Sequence, residues 1–595
     1  MTVRNLPWAA AIVLACTPAC GGGGGEEDAG EARDGADDPR YDETAGETDG
    51  DAAPPEGEDG EIDDAEAVSV SIPAELACRA TATASIEMRN TGTTTWSRAA
   101  GTKLGAVDDG DPFYTSDTRV WLPEGVEVAP GSTHTFTFEL RAPAEEAVYT
   151  TDWQMVREGV RWFGAQVSRD VAVTCTAPPA RTGIVRLSGN SLVDDQGTFN
   201  ALGATMMWAA WGYRHDREKL ERNLDVLARS GFDYIRALGS VGNVEAPDYW
   251  DGREIDPGWP DYAEVIAGTT DLAYDGYGLR VEWTLMGSAD SNEPDEADRY
   301  ALVDAFLAMA AGREQKIIHF EIANESWQNG FPGDEGVAQL RALSTTMKDR
   351  TEILVAASAP DGHDCPAIER VYAGGVADLA TIHFDREITL VDGPWRPVRQ
   401  PWELEYCTDV PVGSNNEPIG PGSSVYPEED PVRLVAAAIT TYVSNLPLYV
   451  FHSNAGVRGD EEIGDMPGVG SFVHVKDIVP PDLASWTRQN AHWADAPFVV
   501  FAYDASGTAV PDTMWPDLES PTGGAVRVYG DVSGSDFFVF PIGILDRVGL
   551  APRRDMEFDV VDPMTGIILE HRVMSAGERF DLAGAEALVL KGSFL

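Results

Sequence analysis

Basic side chains are scarce in this chain. It carries 43 lysines and arginines against 99 aspartates and glutamates, for a formal net charge of -56 over 595 residues. Nucleic acids and anionic membrane surfaces are bound through basic patches, so this imbalance argues against both as partners. Histidine is also rare, with nine residues and no His-x-His pair. A metal-dependent hydrolase needs clustered histidine and aspartate ligands, so we expect neither a metal nor another cofactor.

No stretch of the chain approaches the ~20 consecutive apolar residues that a membrane-spanning helix needs. The first twenty residues instead have the pattern of an export signal, with a positive charge at Arg4 and a short apolar run over Leu6–Ala15. Cys16 closes a Val-Leu-Ala-Cys sequence that resembles a bacterial lipobox, in which the cysteine is lipidated and becomes the mature N-terminus. Cys20 is a competing lipidation site, and a simple cleaved signal is the alternative. All three predict export to the bacterial envelope, cell surface or medium, with a lipid as the only membrane attachment.

The chain has only six cysteines, and none forms a Cys-x-x-Cys pair of the kind that binds metal. In an exported protein, the four that follow the signal predict two disulfides, for which three pairings are possible. We favour Cys78–Cys175 and Cys365–Cys407, because each pair then lies within a single predicted domain. Buried free thiols are the alternative.

A long acidic stretch separates the signal from the rest of the chain. Glu26–Glu66 contains 19 acidic residues and 2 arginines, with glycine, alanine and proline filling most of the remainder. Such a composition cannot bury enough apolar surface to fold, so we expect a disordered, extended tether. The predicted segments are a signal peptide (1–20), an acidic linker (21–66), a β-sandwich (67–177), an α/β barrel (183–496) and a second β-sandwich (497–595).

The segment 67–177 is predicted to be all-β. Alternating polar and apolar residues are interrupted by turn signals at Asn90-Thr91-Gly92 and Pro130-Gly131. Its length and strand spacing are typical of an immunoglobulin-like sandwich. Four tryptophans lie in this segment, namely Trp96, Trp121, Trp153 and Trp162. With them the segment resembles the four-tryptophan Ig-like domain of autophagy receptors, which also occurs in bacterial surface proteins. The resemblance implies a sandwich that can bind a protein or cell-surface partner, with most tryptophans in its core.

Between residues 183 and 496, short apolar runs alternate with amphipathic stretches, which is the pattern of repeated βα units. Eight runs are present, the number of strands in a (β/α)8 TIM barrel. Asp216 is expected to begin a helix that Gly231 ends, and Asp430-Pro431 to begin another. A doubly wound open sheet is the alternative, but no Gly-x-Gly-x-x-Gly follows the early strands. The predicted strands are Asn200–Met207, Phe232–Leu238, Leu279–Met286, Lys316–Ile322, Glu352–Ala357, Asp378–Phe384, Asp409–Gly413 and Pro447–Phe451.

Period-two alternation returns near residue 497. Phe498–Phe501 and Asp536–Phe540 are strand-like, and Asp562–Gly566 has the composition of a hairpin turn. We therefore predict a C-terminal β-sandwich, which resembles the β modules appended to many sugar-cleaving barrels.

Two glutamates that each follow an asparagine are the main functional signal. Asn324-Glu325 and Asn416-Glu417 come after the fourth and seventh predicted strands. The carboxyl ends of barrel strands open onto one rim, where such barrels keep their chemistry. Two carboxyl groups across a cleft can protonate a glycosidic oxygen and attack the sugar carbon. The sequence therefore predicts a glycosidase-like site at this rim.

The barrel segment resembles the clan A, or cellulase-like, glycoside hydrolases. The resemblance rests on four features: the hairpin over Leu192–Phe199, the second strand ending in Arg236, the Asn324-Glu325 pair and Glu417. It implies that Glu325 is the acid/base and Glu417 the nucleophile of a retaining enzyme. Arg236 would hold Glu417 ionised, and that charge would leave Glu325 protonated. Asn324 would contact the 2-hydroxyl of the sugar.

Further cleft residues are expected around this pair. His383 ends the sixth strand, where the resemblance implies a substrate-facing histidine, and His452 follows the eighth. Trp208, Trp211 and Trp327 lie after strands one and four, and indole rings there suit stacking against sugar rings. We expect at least one of them to pack under the loops instead.

The chain departs from the family pattern at several positions. Pro418 follows the nucleophile where an aromatic residue is common, Ser326 stands where proline is frequent, and His452 lies near the position of a usual tryptophan. We predict an exported, retaining glycoside hydrolase acting on a β-linked poly- or oligosaccharide. A catalytically inactive barrel that binds carbohydrate or protein at the cell surface is the first alternative, and a metal-dependent hydrolase the second.

Overall fold

The computed structural model describes most of the chain from residue 61 to residue 595. The predicted signal peptide, both candidate lipidation sites and nearly all of the predicted acidic linker lie outside the described residues. The gaps within the described part are residues 79, 114–117, 144–145, 176–178, 243–249, 251, 388–392, 407–410, 424–425, 491–495, 504–508, 512–526 and 545–546.

The N-terminal module is a sandwich of two β-sheets, as predicted. Its first strand, Ala65–Ser71, already pairs with Thr81–Asn90, so the sandwich begins before residue 67. The three-stranded sheet has the order Ala65–Ser71, Thr81–Asn90, Thr133–Arg141. The five-stranded sheet has the order Glu75–Ala77, Arg161–Thr174, Ala147–Arg157, Thr102–Ala106, Arg119–Trp121, and Trp96–Ser97 pairs separately with Glu127–Val128.

The four tryptophans of this module divide into two pairs. Trp96 and Trp153 are buried in the core, at 1% and 0% exposure. Trp121 and Trp162 are half-buried, and a cationic side chain lies over each ring. Lys103 Nζ is 3.7 Å from the Trp121 ring centroid. Half of the set is therefore core and half is partly covered surface.

One of the two predicted disulfides is present. Cys78 and Cys175 are bonded, with their Cα atoms 5.0 Å apart. Cys365 is also disulfide-bonded, but its predicted partner Cys407 lies outside the described residues. The pairing of Cys365 with Cys407 stays a prediction.

The central module is a barrel of eight parallel strands, as predicted. A small antiparallel sheet of Arg186–Ser188, Ser191–Asp194 and Gly197–Phe199 precedes it. We number the barrel strands 1 to 8 in chain order. They are Ala201–Thr205, Tyr234–Ser240, Arg280–Met286, Ile317–Ala323, Leu354–Ala356, Ala380–Ile382, Gly413–Asn415 and Leu448–Phe451.

Barrel strand 7 corrects the sequence prediction. The apolar run Asp409–Gly413 was expected to form it, but the strand is Gly413–Asn415 and overlaps that run only at Gly413. All three residues of this strand are small and buried. The Asn415 side chain is accommodated in the interior because its Nδ2 donates a hydrogen bond to Thr441 Oγ1 at 3.0 Å. The prediction failed because it took hydrophobicity as the mark of burial. Glu417 consequently lies two residues beyond the strand.

The barrel closes between strands 5 and 6 without a regular ladder. The N–H groups of Asp378 and Leu379 donate to the carbonyl of Val355 at 2.7 and 3.3 Å. Further along, the buried Tyr372 hydroxyl accepts from the N–H groups of Ser358 and Thr381, both at 3.1 Å. A side chain thus replaces main-chain pairing at this seam.

Helices follow the strands and pack outside them. Asp216 and Asp430 begin their helices as predicted, each accepting a hydrogen bond from a first-turn N–H, and Gly231 with φ +83° follows the first of these. No described helix is long and apolar enough to cross a membrane. The helices are Ala209–His215, Arg217–Arg229, Tyr262–Asp271, Ala289–Asn292, Glu296–Ala310, Gly333–Lys348, Cys365–Tyr372, Arg396–Arg399, Pro431–Val443, Asn454–Arg458 and Phe472–Ile478.

The C-terminal module is all-β. Its first strand, Thr487–Asn490, lies inside the segment assigned to the barrel, so the module begins before residue 497. The six-stranded sheet has the order Thr487–Asn490, Arg527–Ser533, Asp536–Ile542, Val589–Phe594, Met556–Val561, Ile568–Met574. The four-stranded sheet has the order Ala509–Pro511, Phe498–Tyr503, Arg547–Pro552, Phe580–Ala583.

Candidate active site

The ends of strands 4, 6 and 7 bring two carboxyl groups and an imidazole together. One oxygen of Glu325, one oxygen of Glu417 and a ring nitrogen of His383 all lie within 4.8 Å of one another. His383 Nδ1 is 3.0 Å from Glu325 Oε1 and 3.5 Å from Glu417 Oε2. Residues that are far apart in sequence therefore meet at the C-terminal rim, where barrel enzymes place their reacting groups.

Arg236, at the third position of strand 2, holds the other side of Glu417. Its Nη1 donates to Glu417 Oε1 at 2.7 Å, and its Nη2 donates to Asn324 Oδ1 at 2.6 Å. Arg236 has no exposed surface and Glu417 is 5% exposed, so the pair is screened little by solvent. One oxygen of Glu417 is thus anchored, while the other faces His383.

The charges around Glu417 favour its ionised form. Burial alone would raise the pKa of Glu417, but His383 when protonated, together with Arg236 and Arg386, outweighs burial and holds that pKa well below its usual range. His452 adds no charge at neutral pH, because burial lowers its own pKa to about 3. Glu417 is a carboxylate throughout the physiological pH range.

Glu325 lies in a less enclosed environment than Glu417. Its side chain is 21% exposed, against 7% for Glu417, and the Gln328 amide donates to its Oε2. The backbone of Glu325 has φ +38°, in the left-handed region that residues with a side chain seldom adopt. Such strain persists where surrounding structure imposes it and is concentrated at functional sites.

The three tryptophans expected to line the cleft differ in how exposed their rings are. Trp208 is 1% exposed and its Nε1 donates to Ala455 O at 3.0 Å, so it offers no face to a sugar and that expectation is wrong. It packs inside because Gly212 and Gly459 leave room for its ring. Trp211 stacks on His215 with ring centroids 5.2 Å apart. Trp327, two residues after Glu325, is 42% exposed and has the most accessible ring of the three.

His452, after strand 8, is buried beneath the rim. Its Nδ1 lies 3.1 Å from Thr205 Oγ1 at the end of strand 1, and 6% of the residue is exposed. The carbonyl of His452 also excludes any side chain at Gly420, where a Cβ would lie 1.5 Å from that oxygen. His452 thus fixes the packing of the loop after Glu417.

Several residues of the site were not anticipated. Arg386 places Nη2 4.0 Å from Glu417 Oε2 and donates from Nη1 to Ser423 Oγ at 3.1 Å. Glu282 and Glu321 contact Arg236 from strands 3 and 4. A sequence signal existed for the two glutamates, since each occupies an alternate, polar position within a predicted buried strand. Arg386 lies in a loop whose path the sequence does not specify.

Glu325, His383 and Glu417 are also a set of atoms that could bind a divalent metal. Two guanidinium groups oppose such an ion, because Arg236 and Arg386 lie 2.7 and 4.0 Å from the oxygens of Glu417. The expectation that the protein needs no metal or other cofactor stays a prediction.

The N-terminal module matches a known family. The family model described as the Ig-like domain from next to BRCA1 gene covers residues 73–173. A comparison with curated proteins gives no match.

Solved structures similar to this chain include several glycoside hydrolases. One glycoside hydrolase is 14% identical with a TM-score of 0.49, covering 69% of this chain and 97% of its own. A glycoside hydrolase family 5 protein from Bacteroides vulgatus is 12% identical with a TM-score of 0.49, covering 69% and 94%. A family 30 subfamily 8 xylanase from Clostridium acetobutylicum is 11% identical with a TM-score of 0.36, covering 70% and 98%. Likeness at this level says nothing about which reaction this chain performs.

Proposed function

We propose that this protein is a retaining glycoside hydrolase that cleaves a β-linked glycan. The observation that carries the proposal is the spacing of oxygens from Glu325 and Glu417, within 4.8 Å, at the C-terminal rim of the barrel. Retaining enzymes keep their carboxyl groups about 5–5.5 Å apart, whereas inverting enzymes leave about 6.5–9.5 Å for a water. The spacing suits direct attack by one carboxylate on the sugar carbon.

Glu417 is the proposed nucleophile. It is ionised, and Arg236 fixes its Oε1 by a 2.7 Å hydrogen bond while leaving Oε2 towards His383. Oε2 would attack the anomeric carbon and form a covalent glycosyl-enzyme, which water then hydrolyses. As Glu417 loses its negative charge by bonding to the anomeric carbon, the departing oxygen takes the proton of Glu325, which becomes the carboxylate in its place.

Glu325 is the proposed acid/base. Its greater exposure places it where a leaving group departs, and the His383 ring at 3.0 Å and the Gln328 amide orient its two oxygens. It would protonate the glycosidic oxygen in the first step and remove a proton from water in the second.

The remaining contacts to sugar follow from the same geometry. Asn324 uses Oδ1 on Arg236, so its Nδ2 is the group available for the 2-hydroxyl. His383 would contact the sugar between the two carboxyl groups, and His452, neutral at pH 7, would line the floor. Trp327 is the proposed stacking surface beyond the cleaved bond, because its ring is exposed, whereas the Trp211 ring is already stacked on His215.

A screen of aryl β-glycosides with wild type, Glu417→Ala and Glu325→Ala tests this function. We expect Glu417→Ala to lose at least about 10³-fold in kcat. Glu325→Ala should retain more activity on substrates with acidic leaving groups, because these need less protonation. Glu352→Ala, at an exposed ion pair with Arg186, is the control and should be unaffected. Undiminished activity in Glu417→Ala would contradict the assignment.

The inactive-barrel alternative makes a different prediction. It predicts carboxyl groups too far apart to share one bond, or a blocked cleft, whereas the enzyme predicts an open groove with Arg236 against Glu417. The oxygens of Glu325 and Glu417, which lie within 4.8 Å of each other, and the 2.7 Å contact of Arg236 with Glu417 favour the enzyme. Tight glycan binding with no hydrolysis of any β-glycoside would reverse this preference.

We also propose that the protein is exported and held to the envelope by a lipid. Support comes from the lipobox-like sequence and from the Cys78–Cys175 disulfide, since disulfides persist in oxidising compartments. Membrane partitioning of Cys16→Ser, Cys20→Ser and the double variant tests this. If all three stay in the membrane fraction, the lipid anchor is wrong.

The N-terminal sandwich is proposed to bind a protein or cell-surface partner. The support is its family match and the half-buried Trp121 face beside Lys103. Capture of the full chain by envelope fractions should fall in Trp121→Ala, while glycoside hydrolysis stays the same. Equal capture of both proteins would argue against this surface.

A further inference from the structure

One buried arginine in the barrel is shared among three carboxylates. Arg236 Nη1 is 2.7 Å from Glu417, Nη2 is 2.9 Å from Glu321, and Nε is 3.3 Å from Glu282. Arg236, Glu282 and Glu321 have no exposed surface. Each guanidinium nitrogen therefore faces a different carboxylate, and only one of these belongs to the proposed reaction.

Strand register holds this arrangement in place. Arg236 on strand 2 lies directly beside Glu282 on strand 3, which lies beside His319 on strand 4. His319 Nε2 is 3.3 Å from Glu282 Oε1, so Glu282 lies between an imidazole and the guanidinium. Although burial opposes ionisation, His319 and Arg236 lower the pKa of Glu282. Glu282 thus remains a carboxylate.

Glu321 is fixed independently of Arg236. The Thr284 hydroxyl, directly beside it in the ladder, donates to Glu321 Oε2 at 2.6 Å. The same oxygen accepts from Arg236 Nη2. A buried carboxylate that lost its arginine would be left as an uncompensated charge, which is strongly unfavourable. Both Glu282 and Glu321 therefore resist any rotation of Arg236 away from them.

Arg236 consequently gives Glu417 one hydrogen bond instead of two. A guanidinium otherwise tends to bind a carboxylate through two parallel N–H···O bonds, which here would occupy both oxygens of Glu417. We propose that Glu282 and Glu321 are positioning residues that prevent this second bond, so that Glu417 Oε2 stays available for attack. The proposal rests on the proposed function in that Glu417 is taken as the nucleophile.

Neutral isosteres test the proposal in the full-length protein. Glu321→Gln and Glu282→Gln keep size and a hydrogen-bond acceptor but remove the charge that competes with Glu417 for Arg236. We expect each to lower kcat by about tenfold or more with KM within about twofold, since the lost effect acts on attack and not on binding. Asp271→Asn removes a carboxylate paired with Arg313 and Lys316 outside the barrel and should leave kcat unchanged.

Crystal structures of wild type and both variants give a readout that needs no substrate. In Glu321→Gln we expect Arg236 to gain a second contact, to Glu417 Oε2. An unmoved Arg236 together with unchanged kcat would overturn the proposal. If no glycoside is hydrolysed even by wild type, the proposed function fails, while movement of Arg236 still decides the positioning role. If Glu321→Gln does not fold, the same comparison is made on Glu282→Gln.

Discussion

At the scale of single residues, some charged side chains of the site could be predicted from sequence patterns and others could not. Glu325 and Glu417 could be predicted because each follows an asparagine at the end of a barrel strand. Glu282 and Glu321 are marked by their alternate polar positions within apolar strands, but their role could not be predicted, because an acidic residue there has no evident partner until the neighbouring strand is known. Strand register supplies that partner, placing Arg236 beside Glu282.

Glu293 is a buried carboxyl outside the proposed mechanism, and burial raises its pKa to about 7. Its folded-state pKa exceeds the unfolded value of 4.5, so its contribution to stability is complete below pH 4.5 and is lost as pH rises through 7. The free energy of unfolding of Glu293→Gln should therefore exceed that of wild type by roughly 3 kcal/mol at pH 8 and be close to it at pH 4.5. Calorimetry at both pH values measures this. Glu296→Gln, at an exposed position, is the control, and an equal gain for both variants would contradict the account.

At the scale of elements, seven of the eight strands overlap their predicted ranges closely, because long apolar runs bounded by turn residues are a strong signal. Strand 7 was displaced, because its three residues are small and polar yet buried. The seam between strands 5 and 6 could not be predicted either, since a tyrosine hydroxyl from a helix forms the hydrogen bonds that main-chain groups form elsewhere in the sheet. Local sequence does not encode which side chain reaches a gap in a sheet.

Tyr372→Phe tests the seam. Its hydroxyl accepts from two main-chain N–H groups and donates to Ser358 O at 2.8 Å, so its removal leaves several buried groups unpaired. We expect a loss of about 3 kcal/mol in the free energy of unfolding. Tyr442→Phe is the matched control, because that buried hydroxyl donates only to Ala201 O and should cost about 1 kcal/mol. Equal losses in denaturant titrations would show that the seam has no special role.

At the scale of the whole molecule, the C-terminal sandwich packs against the barrel. Phe538, Phe540 and Val561 share one core with the helix Pro431–Val443, which follows the loop that carries Glu417. The existence of this module could be predicted from period-two alternation. Its packing could not, because the contacting faces of two modules leave no common pattern in sequence.

The N-terminal sandwich should be separable in stability from the barrel. The Cys78–Cys175 disulfide closes a loop with a sequence separation of 97 residues. Replacing both cysteines by alanine should lower the stability of that sandwich by about 2–5 kcal/mol, because the unfolded chain gains freedom. Calorimetry should show its transition shifted while the rate of glycoside hydrolysis is unchanged. A parallel loss of activity would mean that the modules unfold as one.

The anomeric configuration of the first product tests the central claim most directly. Proton NMR of a β-glycoside during the first minutes of hydrolysis distinguishes the two anomers before they equilibrate. Because oxygens of Glu325 and Glu417 lie within 4.8 Å, attack by Glu417 followed by water should release the β-anomer first. Initial release of the α-anomer would require a water between the carboxyl groups and would contradict the double-displacement account.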